Sequence, residues 1–97
     1  AYIIPFKMKA WLDLSERKQN GETIDSRNIR KHKNDVIQLS DLITADTQIE
    51  TPAQVFEDIQ DFIEKMRTES IDTKSLGMRQ GKDAILQRIS AAYILGT

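Results

Sequence analysis

Cysteine is missing from this chain of 97 residues, and proline, glycine and tryptophan are scarce, with two, four and one residues. Without cysteine, neither a disulfide nor a cysteine-ligated metal site can form. No apolar run approaches the roughly 20 residues of a membrane span and no signal-peptide pattern is present, so we expect a cytoplasmic protein. A chain of this length makes one small domain, which excludes an enzyme with a separate substrate domain.

The net charge of −1 conceals two parts of opposite sign. Residues 1–34 carry eight basic and four acidic side chains, a balance of +4, whereas residues 35–97 carry six basic and eleven acidic ones, a balance of −5. This asymmetry predicts a basic surface that faces an anion or an acidic partner. Residues 1–6 are unusually apolar for a terminus, which indicates either that a short leader has been removed or, as we expect, that the chain is part of a longer protein.

Helical periodicity predicts an all-α bundle of four main helices. The first helix is expected to start at Pro5 and to stop at residues 20–21, an Asn-Gly pair. The second is expected to be capped by Asp25 or Ser26 and to carry apolar residues as far as Ile43. The string of polar residues at 44–48 indicates a loop.

The third helix has the clearest start signal in the sequence. Thr51 is expected to cap it, Pro52 to occupy its first position, and Gln54 to complete a capping box, with the helix running to about Thr68. A linker around residues 76–78, with an extra helical turn near residues 72–78, leads to a last helix over about 82–96. No stretch alternates with a period of two residues, so no strand is predicted.

Two charged residues lie on the apolar faces of the first two helices. Lys7 shares the stripe of Leu14, where it is either a surface lysine whose stem covers the stripe edge or a phosphate contact. Asp35 shares a face with Leu39, where it either pairs with Lys31 at the helix surface or acts in a cleft as a general base or metal ligand.

Other chemistry-bearing patterns are weak. His32 has no further ligand at zinc spacing, which argues against a metal site. The basic residues in 27–34 resemble a recognition helix, but the isoelectric point of 5.8 and the lack of interleaved aromatic residues argue against DNA binding. The sequence contains no phosphate-binding glycine loop, nucleophile elbow or Asp-x-Asp pair, so a complete active site is not expected.

Three stretches resemble a known family. Residues 3–14, with Lys7 and Ala10 in a Lys-x-x-Ala pattern, are similar to a helix of AbiEii/AbiGii-type toxin nucleotidyltransferases. Residues 30–39, in which basic residues and Asp35 precede an apolar run, are similar to their following helix, and residues 72–78 resemble the tails of bacterial relatives. At Gln38, this sequence departs from family members that carry a second Asp three residues after the first.

The resemblance implies a two-domain protein of the polymerase-β-like superfamily, which transfers a nucleoside monophosphate from a nucleoside triphosphate. Its Mg²⁺ would be held by carboxylates of a Gly-Ser…Asp-x-Asp motif in a preceding catalytic domain that is not in this sequence. Carried over by position, Asp35 is the candidate catalytic residue and Lys7 contacts the triphosphate. Lys9 and Lys33 are further candidates for substrate contacts. A cognate antitoxin protein is a further implied partner.

A different class of function competes with this interpretation. The apolar residues 2–6 and the basic part of the chain would equally suit a non-enzymatic helical module that docks onto another protein. In that case a protein partner or a second copy, rather than a nucleotide, would cover this end of the molecule.

Overall fold

A computed structural model describes residues 3–44 and 46–96, so Ala1, Tyr2, Ala45 and Thr97 lie outside the described residues. In it α1 spans Ile3–Gln19 and α2 spans Ser26–Leu39. Gly21, with a φ of 92°, ends α1 with a Schellman pattern, in which the amides of Gly21 and Glu22 donate to the carbonyls of Lys18 and Arg17. The predicted stop is confirmed, because glycine adopts this left-handed backbone without strain.

Helix α2 begins as its sequence predicts and ends earlier. Asp25 is its N-cap, and the side chain accepts a hydrogen bond of 2.9 Å from the amide of Arg27. The apolar run to Ile43 predicted a longer helix. Instead, a 3₁₀ turn over Ser40–Leu42 follows α2. The buried hydroxyl of Ser40 donates back to the carbonyl of Ile37 and stabilises this tighter turn.

The capping box predicted for the third helix is wrong. Helix α3 spans Ala53–Met66, its N-cap is Pro52, and no side chain caps it. Thr51 belongs to a strand, and its hydroxyl donates to the carbonyl of Ile94 at 3.0 Å. Gln54 donates instead to Asp58 one turn along the helix, at 3.1 Å.

The structure is mostly helical but contains a small sheet that the all-α prediction omits. Strands β1, Ile49–Thr51, and β2, Tyr93–Leu95, pair in parallel, with Glu50 opposite Ile94. Helix α4 therefore spans Lys82–Ala92 and does not continue to Gly96. Three-residue strands are too short to show an alternating pattern, which is why sequence periodicity assigned residues 93–95 to a helix.

The linker between α3 and α4 contains the predicted turn. Amides of Leu76 and Gly77 donate to the carbonyls of Thr73 and Lys74, at 3.2 and 3.0 Å. Gly77 has a φ of 79°, which again suits glycine. This turn ends at Met78, whose side chain is buried in the core.

The core lies where α1 packs against α2 and α3, and where α3 packs against α4. Trp11 and Phe62 meet edge to face, with ring centroids 5.4 Å apart, and join α1 to α3. Among the described residues, the large apolar side chains that are fully covered belong to one cluster drawn from the four helices and β2: Met8, Val36, Ile37, Ile59, Phe62, Met66, Ile85, Ile89 and Tyr93. The buried residues at the seam between α1 and α2, Met8, Val36 and Ile37, therefore belong to this core.

Candidate functional site

The structure brings Lys7 and Asp35 together. The ammonium nitrogen of Lys7 on α1 lies 3.1 Å from a carboxylate oxygen of Asp35 on α2. Their side chains are 22% and 26% exposed, so most of each is covered by protein. This cross-helix ion pair replaces the Lys31–Asp35 pair that spacing alone allowed.

The position of each partner follows from its neighbour in the chain. Lys7 precedes the buried Met8, and Asp35 precedes the buried Val36, so each charged residue lies at the edge of a buried face. Two contacts together show that helices α1 and α2 run antiparallel: Lys18 near the end of α1 bonds to Ser26 at the start of α2, and Lys7 near the start of α1 pairs with Asp35. An antiparallel pair brings the start of α1 next to the second half of α2, which is where Asp35 lies.

The ammonium of Lys7 is the group in this pair whose chemistry suits contact with an anion. A lysine ammonium is a compact charge that suits phosphate oxygens. In the structure Asp35 compensates this charge at 3.1 Å, so an anion that binds Lys7 displaces that carboxylate. When an anion takes over the ammonium, the carboxylate of Asp35 is released as an acceptor for a nearby hydroxyl proton.

Lys9 and Lys33 do not join this pair. Lys9 lies 3.4 Å from Asp13 and 3.9 Å from Asp58 of α3, on a different side of α1. Lys33 donates to the carbonyl of Ser70 at 3.5 Å, beside the linker that follows α3. Residues two positions apart on a helix are separated by about 200° around its axis. Lys9 therefore does not share the face of Lys7, and Lys33 does not share the face of Asp35.

Apolar side chains surround the same end of α1. Ile3 is 51% exposed and Phe6 is 69% exposed, whereas Ile4 and Pro5 between them are buried. Ile3 lies one turn before Lys7, on the same side of the helix. The predicted docking segment is therefore exposed at these two positions, while its first residue, Tyr2, lies outside the described residues.

Within the described ranges 3–44 and 46–96, the side chains do not provide a set of ligands for a metal ion. No group of three or more histidine or acidic side chains there is arranged to hold one. Asp35 is engaged by Lys7, and His32, half-buried on α2, has a covered Nδ1 atom without a partner among these residues. These residues do not fit a Mg²⁺ site on their own.

A cavity was not anticipated from the sequence. It has a volume of about 600 Å³ and lies between α1, the start of α2 and the end of α3, with Trp11, Ser15 and Lys18 on its α1 wall. These three residues are four and then three positions apart, so they lie on one face of the helix. That shared face was the only indication of the cavity in the sequence. Lys7 and Asp35 do not line this cavity.

The chain matches no protein-family model, no curated protein and no solved structure with which it was compared. Throughout the described part of the chain, no helix has both the length and the apolar character needed to cross a membrane.

Proposed function

We propose that this chain is the helical part of a cytoplasmic nucleotidyltransferase, in which Lys7 contacts the triphosphate of a nucleoside triphosphate. The observation that supports this proposal is the ion pair of Lys7 and Asp35, two residues 28 positions apart that meet at 3.1 Å. The resemblance of the two helices that carry them to the AbiEii/AbiGii-type enzymes supplies the chemistry.

The two residues have separate roles in the proposed reaction. Lys7 neutralises charge on the phosphate oxygens and orients them, which is a main source of catalysis in phosphoryl transfer. Asp35 positions the ammonium of Lys7 and, once the phosphates engage that ammonium, accepts a proton from the attacking hydroxyl. Lys9 and Lys33, which point elsewhere, are left with at most peripheral contacts to the substrate.

The proposed reaction also needs groups from outside this chain. Mg²⁺, when bound, neutralises charge on the transferring phosphate, and its carboxylate ligands would belong to a preceding catalytic domain. Ile3 and Phe6 provide an exposed apolar surface next to Lys7, suited to contact with such a domain. On this proposal the isolated chain is inactive.

The test uses the full-length protein that contains this chain, assayed for transfer of a labelled nucleoside monophosphate. We expect Lys7→Ala to lower the rate about a hundredfold or more, as loss of one charge-stabilising donor commonly does, and Asp35→Ala to do likewise. Lys74→Ala, which removes an exposed lysine from the linker, is the matched control. Unchanged transfer by Lys7→Ala would remove this residue from the site.

A non-enzymatic interaction module is the second candidate, and the exposure of Ile3 and Phe6 favours it. Its partner would be a protein, such as a cognate antitoxin, that covers these side chains. Titration of the full-length protein with a nucleoside triphosphate and Mg²⁺ separates the two candidates. Binding that depends on Lys7 supports the enzyme, whereas binding that is absent, together with a partner lost in Phe6→Ser, supports the module.

A further inference from the structure

The turn that ends α1 carries a chemically reactive pair of residues. Asn20 is followed by Gly21, whereas the other two asparagines, Asn28 and Asn34, are followed by larger residues inside α2. The side chain of Asn20 is exposed, and no hydrogen bond or ion pair holds it within residues 3–44 and 46–96. Rotation of this side chain brings its amide carbon towards the backbone nitrogen that follows it in the chain.

That backbone nitrogen is poorly shielded. Gly21 has no side chain beside its nitrogen. Apart from the neighbours of Gly21 in the chain, no heavy atom lies within 4 Å of the place that a β-carbon would occupy. The nitrogen of Gly21 is therefore a suitable nucleophile for the side-chain amide carbon of Asn20.

Hydrogen bonds of the same turn restrain this nucleophile. The amide of Gly21 donates to the carbonyl of Lys18 at 3.1 Å, and the amide of Glu22 donates to the carbonyl of Arg17 at 3.1 Å. The side chains of Arg17 and Glu22 add an ion pair of 3.1 Å across the turn. Since the nitrogen of Gly21 must lose its proton and turn towards Asn20 before it can attack, the end of α1 has to open first.

We propose that Asn20 is a site of spontaneous covalent modification whose rate is set by the capped end of α1. In the opened turn, the nitrogen of Gly21 loses its proton to solvent base and bonds to the side-chain amide carbon of Asn20. The side-chain nitrogen of Asn20 takes up a proton and leaves as ammonia, and water then opens the cyclic imide at either of its carbonyls. The products are aspartate and isoaspartate, and the net reaction consumes water and releases ammonia.

The products weaken the turn that delayed their formation. Isoaspartate routes the main chain through the side chain of residue 20, so the amides of Gly21 and Glu22 no longer match the carbonyls that they bond in the capped turn. Both products add a negative charge at the carboxyl end of α1, where the helix dipole is already negative. The contact of Lys18 with Ser26 spans the same turn, so the modification loosens the connection between α1 and α2.

The test follows the three asparagines separately in the protein that contains this chain. Trypsin cleaves after lysine and arginine, so Asn20, Asn28 and Asn34 fall into different peptides, 19–27, 28–30 and 34–65. The protein is incubated at mildly alkaline pH, folded and in urea, and each peptide is followed by mass spectrometry, with isoaspartate detected by enzymatic methylation. In the folded protein we expect modification in peptide 19–27 alone. In urea this reaction should be about tenfold faster or more, because the two backbone hydrogen bonds no longer hold the turn closed.

Variants separate the effect of the turn from that of the Asn-Gly pair. Glu22→Gln removes the ion pair with Arg17 and keeps the Asn-Gly pair, so it should speed the folded reaction about twofold to fivefold and leave the rate in urea unchanged. Glu57→Gln, at an exposed position of α3, is the matched control and should change neither rate. Asn20→Gln, whose longer side chain closes the ring far more slowly, should abolish the reaction.

Three outcomes would overturn the inference. These are equal rates at Asn20 in the folded protein and in urea, modification of Asn28 or Asn34 as fast as that of Asn20 in the folded protein, and aspartate formed without isoaspartate. Lys7→Ala should leave the rate unchanged, because Lys7 lies about 20 Å away along α1. Failure of the nucleotide proposal therefore does not affect this one.

Discussion

The ion pair of Lys7 and Asp35 should contribute more to folding than an ordinary surface pair. The perturbation is a double-mutant cycle with Lys7→Met, which keeps the aliphatic stem, Asp35→Asn, which keeps the shape, and the double variant. The pair of Lys65 and Asp61 on α3 is the matched control. Its separation of 3.2 Å nearly equals the 3.1 Å of the first pair, but its side chains are 50% and 57% exposed.

The magnitude follows from distance and burial. Two unit charges about 3 Å apart attract by roughly 5 kcal/mol at an effective dielectric constant of about 20. Desolvation and loss of side-chain freedom offset most of this, and exposed pairs retain only about 0.2–1 kcal/mol. Because about three-quarters of each side chain of Lys7 and Asp35 is covered, we expect a coupling of about 1–2 kcal/mol, against about 0.3–0.5 kcal/mol for the control.

The assay is urea unfolding followed by circular dichroism, at low and at high salt. Salt should remove most of the coupling in the exposed control but only part of that between Lys7 and Asp35, because covered charges are screened less. Equal couplings for the two pairs, or complete loss of both with salt, would refute the argument from burial. Either result would also weaken the view that Asp35 holds Lys7 in place before an anion binds.

Three further predictions concern local structure. Thr51→Val removes the hydrogen bond to the carbonyl of Ile94 and should lower the free energy of unfolding by about 1–2 kcal/mol, and an unchanged urea midpoint would contradict this. Gly77→Ala places a side chain at a φ of 79° and should be destabilising by about 1 kcal/mol, measured by thermal unfolding; a neutral result would mean that the turn relaxes. The side-chain hydrogen bond from Arg27 lowers the pKa of Asp25 below its ordinary value of 3.8, so its ionised form stabilises the folded state at higher pH. The difference in unfolding temperature between the protein and Asp25→Asn should therefore shrink as the pH falls through and below that value, and a difference that grows there would refute it.

Local signals predicted the helical part of the fold well. Gly21 and Asp25 each satisfy backbone groups within a few residues, so their effect does not depend on the rest of the molecule. Lys7 and Asp35 were singled out as candidates from local pattern, since each is a charged residue on an apolar stripe. Their direct pairing depends on the antiparallel packing of α1 and α2, a tertiary arrangement that the pattern of neither helix contains.

Long-range contacts explain what the sequence analysis missed. The residues after Thr51 are typical of a helix start, so the local sequence predicted that Thr51 caps α3. Its hydroxyl instead donates to the carbonyl of Ile94, which is distant in sequence and therefore absent from any local pattern. Lys9 and Lys33 were named as further candidates for substrate contacts, although helical geometry alone places them away from the faces of Lys7 and Asp35. The cavity beside Trp11 depends on how three elements leave space between them, and a single helix pattern does not contain that information.

The parallel pairing of β1 and β2 also has a consequence for the order of folding. Thr51 and Ile94 are 43 residues apart, and both α3 and α4 lie between them. Closing so long a loop is entropically unfavourable until the intervening helices have packed, whereas α1 and α2 meet through a short turn. We therefore expect the α1–α2 hairpin to form early and the sheet to close last, so that amides in β2 exchange hydrogen sooner than those at the centre of α1.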